Sequence, residues 1–267
     1  MATFPRGKHL TTNDVRLHYL EFGSAGQPLL LLPGITSPAI TWAFVSERLA
    51  QWLHVYTLDI RGRGLSEQRP GLGYRLNDYA LDAKGVIEKL GLKRPIVLGH
   101  SMGARIAVKL GAIAPDLVGK LVLVDPPVSG PGRRPYPTPL PWYIESSKEA
   151  AHGANIEAMR KLLPSWTDDQ LALRAQWLPT CTVEGIVESH KSFHDEDMHA
   201  DLPKLRCPTL LIRAGKGDVI RDDDAKEIES LIPDCRTVTI EKAGHMIPWD
   251  DLEGFIAAVR VFTGSAA

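Results

Sequence analysis

Residues 96–103 read Ile-Val-Leu-Gly-His-Ser-Met-Gly, and no other stretch restricts the fold of this chain as much. The apolar run Ile96-Val97-Leu98 has strand character, and Ala104 to Ala114 carries a helical pattern. Between them stands Gly99-x-Ser101-x-Gly103. Strand, Gly-x-Ser-x-Gly and helix in that order make a tight, strained turn in which small residues flank a serine and lift its hydroxyl clear of a sheet. The Met102 amide, at the helix start, then faces an oxygen that gains negative charge. A chance match in a glycine loop would lack the flanking strand and helix.

The rest of the chain supplies the sheet that such a turn needs. Val15–Phe22, Leu29–Leu32, Val55–Ile60, Leu121–Val124, Thr209–Ile212 and Thr237–Ile240 read as strands. Several are unbroken apolar runs, as expected of strands buried on both faces. Helical spacing covers the segment of Trp42, Phe44, Val45 and Leu49, then Asp78–Leu90 and about Asp251–Phe262. Alternating strands and helices predict an α/β fold with a mostly parallel central sheet and helices on both faces. The pattern changes at Pro126. Seven prolines occur between Pro126 and Pro141, which excludes a core helix or central strand there, and 142–200 is polar and helical with no strand signal. The expected organisation is a core of 1–126 and 204–267, with a helical cap, 127–203, inserted after the strand ending at Asp125.

With 267 residues, 44% hydrophobic and 24% charged, the chain can bury a sizeable core. A net charge of −1 gives no electrostatic basis for holding nucleic acid or an anionic membrane. The opening residues Met1–His9 lack the apolar core of a signal peptide, and no apolar run approaches the ~20 residues of a membrane helix. Cys181, Cys207 and Cys235 are odd in number without CxxC spacing. Free thiols in a cytoplasmic protein are the expectation.

A serine needs an adjacent base to become a nucleophile. His245 follows the last strand, in Gly244-His245-Met-Ile-Pro-Trp249, from where it can reach over Ser101. Two aspartates fit the acid that orients it. Asp125 ends the strand after the one that carries Ser101, and Asp218 follows the next strand, in Ala214-Gly-Lys-Gly-Asp218. Spacing alone leaves both open, with Asp218 at least as well placed; Asp59 lies on the other side of the serine and is read as structural. The second oxyanion donor is expected from the loop Pro33-Gly34-Ile35-Thr36, through the Ile35 amide beside that of Met102. Arg105, Arg133 and Arg134 are candidate partners for an anionic substrate. Trp42, Trp142 and Trp249 are candidate pocket walls. His190 and His194 have metal-like i,i+4 spacing, but Lys191 stands where H-E-x-x-H needs Glu, so a solvated cap helix is expected. Gly215-x-Gly217 lacks a third glycine and a following helical pattern, which argues against a dinucleotide site.

These features, spanning nearly the whole chain, resemble the α/β-hydrolase superfamily. Longer strings are more specific: Pro33-Gly-Ile-Thr-Ser-Pro-Ala-Ile-Thr-Trp42, Val124-Asp-Pro-Pro-Val-Ser-Gly-Pro-Gly-Arg-Arg134, Leu140-Pro-Trp-Tyr143 and Gly244-His-Met-Ile-Pro-Trp-Asp-Asp251. They resemble the N-formylmaleamate deformylase family of aerobic nicotinic acid degradation, and the similar amide hydrolases of vitamin B6 breakdown. The resemblance implies a catalytic triad of Ser101, His245 and Asp125, with Asp218 as the fallback acid. It implies hydrolysis of an N-formyl amide to formate and maleamate, with no metal or organic cofactor. The small anionic substrate would meet Arg133, Arg134 and Trp142. Two readings use the same residues differently: a carboxylesterase or enol-lactonase of aromatic breakdown, and a ligand-binding member of the fold without catalysis. The complete set of Ser101, His245 and Asp125 argues against the last.

Overall fold

The computed structural model describes residues 5–153 and 155–264. Its strands are β1 (Arg6–Thr12), β2 (Val15–Phe22), β3 (Gln27–Leu32), β4 (Leu53–Leu58), β5 (Ile96–His100), β6 (Lys120–Val124), β7 (Thr209–Ala214) and β8 (Cys235–Ile240). They form one sheet in the order β1-β2-β4-β3-β5-β6-β7-β8. The pairs β1–β2 and β2–β4 are antiparallel, and the other five are parallel. The strand carrying Ser101 therefore sits in mid-sheet, where neighbours on both sides hold its end rigid.

The core helices are α1 (Ala43–Leu49), α2 (Leu76–Lys89) and α3 (Met102–Ile113). Four more, α4 (Leu140–Ala151), α5 (Ile156–Leu162), α6 (Asp168–Trp177) and α7 (Val183–Asp195), lie between β6 and β7. The chain closes with α8 (Asp222–Leu231), α9 (Ile247–Asp250) and α10 (Leu252–Thr263). Side chains alternate across a strand, so β3 feeds two cores at once. Leu29 and Leu31 join Leu49 of α1 and Phe255 of α10 on one face, while Leu30 and Leu32 join Val86 of α2 and Ile106 of α3 on the other. All four leucines are essentially inaccessible to solvent. Each such burial contributes about 1.5–3 kcal/mol, and the second of these cores continues into the inserted helices through Met159, Leu171, Ile186 and Phe193.

Two elements escape the sequence pattern. β1 is an edge strand with mostly exposed residues, held by its pairing to β2, so no apolar alternation announces it. α8 follows Gly217, contrary to the expectation of no helix there. It buries only Ala225 and Ile228, and its first turn, Asp222-Asp223-Asp224, complements the helix dipole rather than a core. The prolines of 126–139 form no helix, but Pro141 lies in the first turn of α4, where a missing N–H costs no hydrogen bond. Among the described residues no helix is long and apolar enough to cross a membrane.

Candidate active site

Ser101 joins β5 to α3 with φ 53° and ψ −119°, a conformation that L residues rarely adopt. The flanking glycines allow it. A Cβ at Gly103 would collide with the Leu32 carbonyl, and one at Gly99 would collide with the Gly103 carbonyl. The turn is thus pressed against the end of β3, and the Ser101 amide donates to the Val124 carbonyl at 2.8 Å. One strand over, Asp125 also has positive φ, 46°, directly after β6. Strained backbone at the ends of adjacent central strands marks a functional site.

His245, in the loop between β8 and α9, bridges these two residues. Its Nδ1 lies 2.7 Å from Asp125 Oδ2, and its Nε2 lies 3.0 Å from Ser101 Oγ. The carboxylate requires Nδ1 to carry hydrogen, which leaves Nε2 free to accept the hydroxyl proton. Asp125 is fully buried, and its other oxygen accepts from the Ala214 amide at 3.3 Å. Asp218, the alternative acid, is exposed, and its carboxylate is taken up by Arg221 at 2.7 Å. The structure therefore joins Ser101, His245 and Asp125 and leaves Asp218 outside. Asp59 accepts from the Ala39 amide at 2.6 Å and pairs with His18 at 2.7 Å, holding the loop after β3.

His100 fixes the base from behind. It donates from Nε2 to the His245 carbonyl at 2.9 Å. Burial, aided by the neighbouring His245, lowers its pKa to about 3, so the ring is neutral and its buried Nδ1 has no partner.

Above Ser101 opens a cavity of about 370 Å³, walled by Gly34, Ile35, Thr36, Ser37, His100, Pro137, Thr138, Trp142, Tyr143, Leu163, Trp166, Arg174, His245 and Met246. Ile35 is part of this wall. Met102 begins α3, where the first amides have no helical acceptor. Trp142 is on the wall, whereas Trp42 is fully buried beneath it and packs edge-on against Trp249.

Three expected contacts are corrected. Arg133 and Arg134 do not line the cavity. Arg133 forms a double hydrogen bond with Glu227, and Arg134 binds Asp224 and the carbonyls of Asp218 and Val219, so both tie the start of the cap to α8. Arg105 is also absent from the wall. It donates to the carbonyls of Pro127, Ser129 and Glu196 at 2.9, 2.8 and 2.6 Å. Burial lowers its pKa to about 10, still far above neutrality.

Residues that no motif announced complete the site. Arg174 of α6 is buried among the rings of Trp142 and Trp166 and reaches only the Thr36 carbonyl and hydroxyl, both at 3.4 Å. Its Nε has no partner, and among the described residues no carboxylate pairs with it. Tyr136 Oη lies 3.4 Å from His245 Nε2 and 3.2 Å from Tyr143 Oη. His190 packs on both tyrosine rings and meets the Thr138 carbonyl at 3.0 Å, so it serves the wall. Cys181, Cys207 and Cys235 are free thiols, and burial raises all three pKa values.

The comparisons with known proteins agree with this geometry. The model of the alpha/beta hydrolase family matches residues 29–258. The chain is 50% identical to the N-formylmaleamate deformylase of Pseudomonas putida over 98% of both chains. It is 40% identical to the 2-(acetamidomethylene)succinate hydrolase of Mesorhizobium japonicum, covering 87% of this chain and 86% of that one. A crystal structure of an N-formylmaleamic acid deformylase from Pseudomonas putida superimposes with a TM-score of 0.92 at 48% identity, covering 95% of this chain and 100% of that one. By family model, relatives and structure, the chain belongs to the alpha/beta hydrolase family.

Proposed function

We propose that this protein hydrolyses the N-formyl amide of N-formylmaleamate, releasing formate and maleamate, with Ser101 as nucleophile. One observation carries the reading beyond a generic serine hydrolase. The cavity over Ser101 holds a buried arginine without a counter-ion. Leaving a guanidinium desolvated and unpaired is costly, and a ligand carboxylate removes that cost. Arg174 is thus the residue for the substrate carboxylate, in place of Arg133 and Arg134. Trp142 and Trp166 flank it and exclude water. The relative of half-identical sequence, a deformylase, supports the same substrate class.

The chemistry follows from the distances. His245 Nε2 takes the proton as Ser101 Oγ attacks the formyl carbon, and buried Asp125 stabilises the imidazolium. The Ile35 and Met102 amides receive the oxyanion. The C–N bond then breaks. Its electron pair goes to nitrogen, His245 delivers the proton there, and maleamate leaves a formyl ester on Ser101. Water gives a proton to His245 and its oxygen to the formyl carbon. Formate departs, and Ser101 recovers its proton. The leaving nitrogen is conjugated to a second carbonyl, which makes it a better leaving group than a simple amine.

Formate release from N-formylmaleamate by the purified protein is the test. Ser101→Ala should lower kcat by several orders of magnitude, about 10⁴–10⁶-fold. Near-normal turnover in that variant removes Ser101 from the mechanism. Rapid hydrolysis of enol-lactones or simple esters without formate release from N-formylmaleamate replaces the substrate.

A further inference from the structure

We propose that Tyr136, backed by Tyr143, is a second oxyanion site that donates a hydrogen bond to the carbonyl oxygen of the leaving group. The inference rests on the substrate class proposed above, because only an acyl-amide leaving group has such an oxygen. When the C–N bond of an N-formyl amide breaks, the electron pair is shared between nitrogen and the oxygen of the adjoining carbonyl. Two oxygens therefore gain charge in the reaction, and the Ile35 and Met102 amides serve only the formyl one.

The geometry places donors where the other is needed. His245 Nε2 hands its proton to the leaving nitrogen, and the carbonyl oxygen lies about 2.3 Å from that nitrogen. Tyr136 Oη is 3.4 Å from the same Nε2. Tyr143 Oη, 3.2 Å from Tyr136 Oη, belongs to the cavity wall, and Tyr136 stands between it and His245. The rings are fixed by packing: Tyr136 stands edge-on to Phe193 of α7, with centroids 5.1 Å apart, and Tyr143 lies in α4. Burial raises both phenol pKa values, so each keeps its hydrogen at neutral pH.

Timing completes the argument. While His245 is neutral, its Nε2 accepts from the Ser101 hydroxyl at 3.0 Å, and the Tyr136 hydroxyl is a more distant neighbour at 3.4 Å. Once His245 takes the Ser101 proton, Nε2 can only donate. The phenol hydrogen can then turn to the leaving-group oxygen in the step in which that oxygen becomes more basic, while Tyr143 Oη holds Tyr136 Oη at 3.2 Å. An interaction strengthened only there lowers the barrier without tightening ground-state binding.

The test compares two formyl donors that give the same formyl-Ser101: N-formylmaleamate and p-nitrophenyl formate, whose leaving group has no carbonyl. The ratio of their kcat/KM values is measured for wild type, Tyr136→Phe and Tyr143→Phe. Loss of one oxyanion donor costs about 10²–10³-fold in other hydrolases. Tyr136→Phe should lower the ratio (N-formylmaleamate over aryl formate) by about 100-fold, and Tyr143→Phe by a smaller factor in the same direction. A ratio unchanged in both variants overturns the proposal, because a structural or triad-positioning role slows both donors alike. Wild-type protein that cleaves the aryl formate but not N-formylmaleamate overturns the substrate assignment instead, so the two failures are distinguishable.

Discussion

Arg105 of α3 and Arg174 of α6 are both buried arginines where the inserted helices meet the rest of the chain, and they differ in how closely their acceptors approach. Arg105 reaches from α3, one turn beyond Ser101, into a seam of carbonyls from Pro127 and Ser129 on one side and Glu196 on the other. Arg63 does the same elsewhere in the seam. It joins the Ile35 carbonyl at 3.1 Å to the Gly185 carbonyl and Ser189 hydroxyl of α7, both at 2.9 Å. Arg174, in the cavity wall, has two long contacts to Thr36 and an unpartnered Nε. The seam gives its cations close carbonyl acceptors, 2.6–2.9 Å from Arg105, although Arg105 Nε is unpartnered as Arg174 Nε is. The wall leaves its cation with two acceptors at 3.4 Å only, and a substrate carboxylate, as proposed, would relieve that cost. Charge alone does not separate an anchor from a binding residue; the partners do.

Among the tests of this contrast, replacing Arg174 gives the largest expected effect. Arg174→Met keeps the volume and removes the charge. If the guanidinium receives a substrate carboxylate, two charge-assisted hydrogen bonds are lost, about 4 kcal/mol together, or roughly a 10³-fold lower kcat/KM. The folded state loses an unpaired buried cation, so its stability should be equal or higher. Steady-state kinetics and urea unfolding of the same preparation check both halves. A destabilised variant with normal kcat/KM would place Arg174 among the anchors and break the contrast.

Arg105→Met should behave in the reverse way. It strips the hydrogen bonds from buried carbonyls on both sides of the seam and should lower stability by about 3 kcal/mol. The activity of each folded molecule should change far less than in Arg174→Met. Urea midpoints against active-site titration separate the two effects. A stable Arg105→Met variant with a strongly raised KM would mean that the seam, too, touches substrate.

The difference between these arginines is what the sequence hides. Ser101 and His245 are legible because their neighbours are constrained: glycines that the backbone crossing at Leu32 demands, and a Gly-His loop directly after the last strand. Asp125 and Asp218 are not separable by spacing, since both follow ends of adjacent parallel strands. What separates them is φ 46° at Asp125 and the reach of one imidazole, neither visible in a string. Arg133-Arg134 draws attention as a basic pair, yet Glu227 and Asp224, some ninety residues later, neutralise it. Arg174 sits in a polar cap helix, Leu171-Ala-Leu-Arg-Ala-Gln-Trp177, with nothing local to mark it. Its role depends on Thr36, Trp142 and Trp166, which the fold alone brings together. β1 and α8 were hidden for a related reason: an exposed edge strand and a thinly buried helix carry little apolar period.

His100 offers the smallest and most specific test of the contrast, because it meets the same wall with the opposite solution. Its buried Nδ1 lacks a partner, as Arg174 Nε does, but an imidazole can discard its charge where a guanidinium cannot. Burial lowers its pKa from 6.5 to about 3. The unfolded chain binds this proton below pH 6.5 and the folded chain does not until about pH 3, so the folded state loses stability as pH falls through that window and keeps it in full above. The slope is about 1.4 kcal/mol per pH unit for one proton. His100→Gln, which retains a donor for the His245 carbonyl, should remove that component from the stability measured by urea unfolding at several pH values between 4 and 7. An unchanged slope would assign the acid sensitivity to the carboxylates and to the other histidines that burial holds below their ordinary range, His9, His194 and His199, and leave the neutral wall histidine without a thermodynamic signature.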